Sequence, residues 1–199
     1  MIDRHQHLQR FVEAAAASFD RCATDPASQR SLARIFSALK TPAGPAASAA
    51  GRLPVCTHLD AALDLHTSDR FLLDLVAAFR DIEPSLQWRR RSADASASDN
   101  FADGHANVLI FGPGGLEDRR DVWLGATLMA PQVRYPDHDH APEETYLVLS
   151  EGEFWHGSGS WFEPGVGGSF YNPPGIRHAM RSGERPLFAF WALWAGTES

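Results

Sequence analysis

The period of the apolar positions changes near the middle of the chain. Over residues 1–90 it is helical. Leu8, Phe11, Val12, Ala15 and Phe19 recur at spacings of three and four, which makes one apolar stripe. Asp3 and Gln6 stand at capping-box spacing ahead of it. A second stripe runs through Leu32, Ile35, Phe36 and Leu39, with Asp25 as expected N-cap and Pro26 at the first helical position. The loop "TPAGPAASAAG" at 41–51 breaks the pattern. Helix resumes near Thr57 and pauses at "HTSD", where Ser68 or Asp69 can cap a new start. It continues through Phe71, Leu72, Leu75 and Phe79 to a stop at Pro84.

From Asn107 the texture is that of strands. The runs "NVLIF", "DVWLGATLMA", "TYLVLS", "EFWHG", "SWFEP", "GSFYN" and "PLFAFWALWA" are separated by Gly, Pro and Asp. No helical pattern alternates with them. That argues for an antiparallel sandwich or small barrel and against a doubly wound parallel sheet. The predicted organisation is a helical region at 1–90, a polar connection at 91–105 and a β-barrel at 106–199. Arg89, Arg90 and Arg91 read as a solvated or partner-facing patch, because no glycine-rich loop accompanies them.

Composition narrows the function classes. The chain has 199 residues, 44% of them hydrophobic, enough to bury a core. A net charge of −7 argues against nucleic acid and anionic membrane surfaces as partners. No apolar run approaches the roughly 20 residues of a membrane helix, and "MIDRHQHLQRF" lacks the apolar segment of a signal peptide. Cys22 and Cys56 have no CxxC spacing, so a reduced, cytoplasmic protein is expected. The helical stripes read as core or as dimer surface and are consistent with a homodimer.

The candidate chemistry sits in "YPDHDHAPEETYLV" at 135–148. Strand alternation points His138 and His140 the same way. Glu144 follows across a turn at Pro142, and Tyr146 lies two residues further on the same face, with Glu143 pointing away. His178 comes up a strand after the tight turn "PPG" at 173–175. Imidazoles plus one carboxylate suit an open, catalytic site for Fe(II), Zn, Mn, Ni or Co. A closed structural zinc site would use cysteines, and neither is near. His5, His7, His58, His66 and His105 have no partner at ligand spacing and read as surface or capping residues. His156 reads as a solvated residue at a hairpin end.

These residues carry a resemblance. His138-x-His140-x3-Glu144-x7-Gly152 resembles the first cupin motif, and Gly167-x5-Pro173-x-Gly175-x2-His178 resembles the second. Gln132 stands where a glycine usually opens the first motif, the gap before Gly152 is one residue longer than usual, and Ser182 replaces the closing asparagine. With its tyrosine two residues after the glutamate, the chain is similar to the cupin-type dimethylsulfoniopropionate (DMSP) lyases of the DddQ group. The resemblance implies cleavage of DMSP to dimethyl sulfide and acrylate. It implies one divalent metal ion per chain, Fe(II), Zn or Mn, held by His140, Glu144 and His178. Tyr146 would be a ligand at rest and the base in the reaction. Tyr135 and His138 would line the substrate pocket, with His138 also a candidate ligand.

The residues make sense of that chemistry. The proton next to a carboxylate is weakly acidic, and a dication favours both the charge that develops and a tyrosine phenolate. Aromatic faces hold sulfonium ions, and Tyr135, Trp155, Tyr171, Trp191 and Trp194 are candidates. Trp191 and Trp194 fall on opposite faces of one strand, so at most one faces the site. Two other readings share the motifs: an Fe(II) dioxygenase, which needs O2 and no phenolate, and a non-enzymatic metal-binding cupin sensor.

Overall fold

In the computed structural model, which describes residues 4–45 and 49–196, the change of period becomes a change of layer. Helices α1 (Gln6–Cys22), α2 (Pro26–Ala38) and α4 (Arg70–Ile82) form the outer layer. The single turn α3 (Leu59–Ala62) follows a 3₁₀ stretch at Pro54–His58. Asp25 accepts from the amides of Ala27 and Ser28 at 2.7 and 3.1 Å, and Asp69 accepts from Phe71 at 2.9 Å. These bonds satisfy amides that a helix start leaves orphaned. Asp3, the cap expected for α1, lies outside the described residues. The helix begins after His5, whose side chain makes no capping bond. No helix among the described residues is long and apolar enough to cross a membrane.

The strands are β1 (Trp88–Arg89), β2 (His105–Phe111), β3 (Val122–Met129), β4 (Glu143–Val148), β5 (Glu153–His156), β6 (Ser169–Asn172), β7 (His178–Arg181) and β8 (Leu187–Trp194). Six of them form one sheet in the order β1-β2-β3-β8-β4-β6, and β5 pairs with β7 in a second. Every pairing is antiparallel. The run "SWFEP" is not a strand. It makes one bridge, Phe154 to Phe162, and its Trp161 ring lies under the guanidinium groups of Arg134 and Arg181. The short β1 and the one-turn helix α5 (Phe101–Gly104) were not legible in the sequence, being too short to show a period.

Alternation gives the large sheet two unlike faces. Val108 and Ile110 of β2, Leu124 and Leu128 of β3, Leu147 of β4, and Phe188 and Phe190 of β8 face the helices. They share one hydrophobic core with the stripes of α1, α2 and α4. The Phe190 ring lies 5.8 Å from Phe11 and 5.3 Å from Phe79, and Phe79 is 5.4 Å from Phe188. Burying each such ring stabilises the fold by about 1.5–3 kcal/mol. The helical stripes are therefore turned onto this chain's own sheet. The architecture is the one expected, a cupin-type antiparallel barrel with a helical N-terminal region.

The polar connection is a strap across the loop that carries the two histidines. Ser98 Oγ accepts from the Arg134 amide and Ser96 Oγ from the Asp137 amide, each at 2.8 Å. The Arg134 guanidinium pairs with Asp137 at 2.5 Å and donates to the Ser96 carbonyl.

Candidate active site

Backbone bonds stitch the two histidine motifs together. His138 and His178 exchange amide-to-carbonyl bonds of 3.0 and 2.8 Å, and the Gly175 amide donates to the His140 carbonyl at 2.9 Å. Gly175 has φ +71°, a conformation that suits glycine at the end of the "PPG" turn. Gln132 opens the first motif with φ 59°, so it holds the left-handed conformation that a glycine would adopt without strain. Ser182 accepts from the Val133 amide at 2.9 Å and donates to the Ala130 carbonyl at 2.6 Å, which pins the other end of that turn.

Each histidine is fixed by its Nδ1. His138, His140 and His178 bond through Nδ1 to the carbonyls of Pro136, Pro142 and Ile176 at 2.8–2.9 Å. An Nδ1–H that donates to a carbonyl leaves a lone pair on Nε2. One ligand atom from each of the three rings lies within 4.8 Å of the others. Glu144 Oε2 lies 3.4 Å from His140 Nε2 and 3.3 Å from His178 Nε2. Those two nitrogens are buried and have no hydrogen-bond partner. Convergent imidazole lone pairs beside a buried carboxylate fit a divalent cation.

The charges follow from burial and contact. Burial opposes ionisation of Glu144, but its contacts with His140 and His178 outweigh that and hold its carboxyl well below the usual range. Burial and the neighbouring His178 push His138 down to about 3, so its ring is neutral near neutral pH. Tyr146 is buried, stacks on Phe170 at 5.0 Å, and lies beside Glu144. Burial first, then the Glu144 charge, raises its phenol well above the ordinary value.

A cavity of about 320 Å³ opens from this cluster, lined by His138, His140, Glu144, Tyr146 and Tyr135. Of the other aromatic candidates, Trp191 lines it and Trp155, Tyr171 and Trp194 do not. Tyr171 faces the helices, where its hydroxyl donates to Glu143 at 2.5 Å; burial and that carboxylate push it up to about 12. Trp155 donates to the Gly159 carbonyl in a hairpin, and Trp194 lies under Arg34. Trp123 also lines the cavity, with a buried indole N–H that has no partner. Gly125 makes room for Trp191, since a Cβ there would come within 2.4 Å of the indole and 2.3 Å of the Val108 carbonyl oxygen.

Two histidines depart from their expected places. His105 is fully buried, stacked on Phe101 at 3.6 Å, and accepts from the Arg91 amide at 2.8 Å. His156 is half-buried and bonds through Nδ1 to Asn172 Oδ1 at 2.8 Å, while Asn172 donates to Glu144 Oε2 at 3.1 Å. Phe101 and the Arg91 amide enclose His105, and Asn172 of β6 holds His156, contacts that ligand spacing along the chain does not reveal. Arg89, Arg90 and Arg91 are exposed, as expected of a solvated patch, and Arg89 and Arg91 also line the cavity.

A family model described as dimethylsulfoniopropionate lyase matches residues 27–189. The dimethylsulfoniopropionate lyase DddQ of Ruegeria pomeroyi is 28% identical over 190 residues, covering 87% of this chain and 91% of that protein. The putative dimethylsulfoniopropionate lyase DddL of Cereibacter sphaeroides is 27% identical over 151 residues, 73% of this chain and 60% of its own length. The crystal structure of DddQ from Ruegeria pomeroyi superposes with a TM-score of 0.74 at 24% identity, covering 96% of this chain and 94% of that one, so the fold is shared over nearly the whole length. The chain belongs to the dimethylsulfoniopropionate lyase family.

Proposed function

We propose that this chain is a metal-dependent lyase that cleaves DMSP to dimethyl sulfide and acrylate by β-elimination. The observation that carries the reading is the pair of buried, partnerless Nε2 atoms of His140 and His178, converging on Glu144 Oε2 beside the Tyr146 ring. Those three residues would hold the metal, with His138 a further donor at the same cluster. A dication bound there supplies positive charge for the substrate carboxylate and for a phenolate.

Tyr146 is the base. Its oxygen takes a proton from the carbon next to the carboxylate. The electrons of that C–H bond form the double bond of acrylate, and the C–S electrons leave with dimethyl sulfide. Tyr135 and His138 line the space in which the substrate sits. The neutral His138 ring adds no positive charge to repel the sulfonium.

Headspace dimethyl sulfide from purified protein given DMSP without O2, with and without chelator, tests the reading. Release is expected without O2 and should stop with chelator. Release that persists in chelated, metal-free protein would remove the metal from the mechanism. A requirement for O2 would favour the dioxygenase.

A further inference from the structure

The Trp191 indole N–H donates to Thr127 Oγ1 at 3.1 Å, and the Thr127 hydroxyl donates to Asn107 Oδ1 at 2.7 Å. The Asn107 amide nitrogen then donates to the Tyr135 hydroxyl oxygen at 2.7 Å. Tyr135 accepts from the sheet and keeps its own proton for an acceptor in the cavity that it lines.

Arg91 stands over the Tyr135 ring, its guanidinium carbon 5.8 Å from the ring centroid, and lines the same cavity. Its backbone is anchored by the buried His105, which accepts from the Arg91 amide through Nε2 and bonds through Nδ1 to the Phe101 carbonyl. No carboxylate among the described residues pairs with Arg91. Arg90, the next residue back, pairs instead with Asp103 at 2.6 Å. Arg91 is exposed and lines the cavity with no acidic partner, so its guanidinium is free to meet an anion there.

We propose that Arg91 and the Tyr135 hydroxyl form a carboxylate-binding subsite that captures the carboxylate of the substrate and turns its sulfonium end away. The identity of that substrate rests on the function proposed above; the subsite itself does not. A guanidinium fork and a phenolic O–H supply parallel donors to carboxylate oxygens. The same positive charge repels the sulfonium, so one residue orients both ends of a zwitterion. Arg91 is here a binding residue and takes no part in proton transfer.

Two probes separate the ends. 3-(Methylthio)propionate keeps the carboxylate and carries a neutral sulfur, and ethyldimethylsulfonium keeps the cation alone. Their binding to the metal-loaded protein is measured by calorimetry, alongside kcat and KM for DMSP and metal content. Arg91→Met is expected to weaken the thioether carboxylate at least tenfold and to leave the sulfonium's binding undiminished. It should raise KM for DMSP by a similar factor with kcat within about threefold. Arg91→Lys should recover part of the loss, since it restores the charge without the fork. Tyr135→Phe should weaken the carboxylate probe and not the sulfonium. Equal binding of the carboxylate probe by the parent and Arg91→Met overturns the subsite. Should Arg91→Met fail to fold, Arg91→Lys decides: a loss of threefold or more supports the subsite, and parental binding overturns it. A parent that releases no dimethyl sulfide, yet binds the carboxylate probe through Arg91, would sink the proposed function and leave the subsite standing.

Discussion

Thr145 and Tyr146 are neighbours on β4, yet one faces the helices and the other the cavity. Thr145 is fully buried, and its hydroxyl donates to Ser28 on α2 at 3.2 Å. Glu143, on the same side, pairs with Arg34 and accepts from Tyr171. Around them the outer face is hydrocarbon. The inner face keeps imidazole nitrogens at His140 and His178 and an indole N–H at Trp123 without partners. An unpaired buried polar group costs about 1–3 kcal/mol. The outer face carries such groups too, Ser31 Oγ on α2 and the Trp194 indole N–H; what sets the inner face apart is that its unpartnered nitrogens at His140 and His178 converge on one carboxylate beside a cavity.

The sharpest way to break this comparison is a substitution on each face. Inside, Tyr146→Phe keeps the ring and its stacking on Phe170 but removes the proton acceptor. Turnover is expected to fall by roughly 10²–10⁴-fold, with metal content and folding preserved. Parental kcat in a metal-loaded variant would show that Tyr146 only packs. His178→Ala should instead lose the metal, read by metal analysis of folded protein. Outside, Phe190→Ala removes a ring that touches Phe11 and Phe79. It should destabilise the protein by about 3–5 kcal/mol in urea denaturation while leaving kcat per folded molecule unchanged. A folded variant with collapsed kcat would mean that the two faces are not separable.

A smaller effect should come from His105. Burial lowers its pKa below the ordinary value of about 6.5. Between the folded value and that one, the unfolded chain takes up a proton that the native chain refuses. Stability therefore falls as pH drops through this window. His105→Gln should show a shallower loss of urea midpoint between pH 7 and pH 5 than the parent; parallel curves would acquit His105. The smallest effect belongs to the helical layer. Replacing His5, His7, His58 and His66 together by glutamine should leave turnover within about twofold. A tenfold drop, ~1.4 kcal/mol in the barrier, would mean that a helix reaches the site.

What the sequence made legible was whatever repeats or alternates locally. The stripe from Leu8 to Phe19 marks α1, and the Asp25–Pro26 pair marks the start of α2. Alternation along β4 separates Glu144 and Tyr146 from Glu143 and Thr145. The turn at 173–175 carries His178 to its bridge with His138. What stayed hidden depends on partners distant in sequence. His105 looks like an isolated histidine until Phe101 and the Arg91 amide enclose it. Asn107 and Thr127 are ordinary polar strand residues until β2 and β3 pair and align them. "SWFEP" has strand composition, but Trp161 engages two arginines and the chain turns away at Pro164 and Gly165.

Gly125 has a consequence for how this family can drift. The missing side chain is the floor on which the Trp191 indole rests, and the Val108 carbonyl closes the remaining space. Any mutation that adds a carbon there must tilt the indole into the cavity or prise β2 from β3. The residue never needs to touch a ligand to set how large a ligand is admitted. Lineages that acquire bulkier substrates are expected to begin by trimming Trp191. Position 125 stays closed even then, because an added Cβ would still meet the Val108 carbonyl oxygen at 2.3 Å, so of the two residues it is the indole that can give.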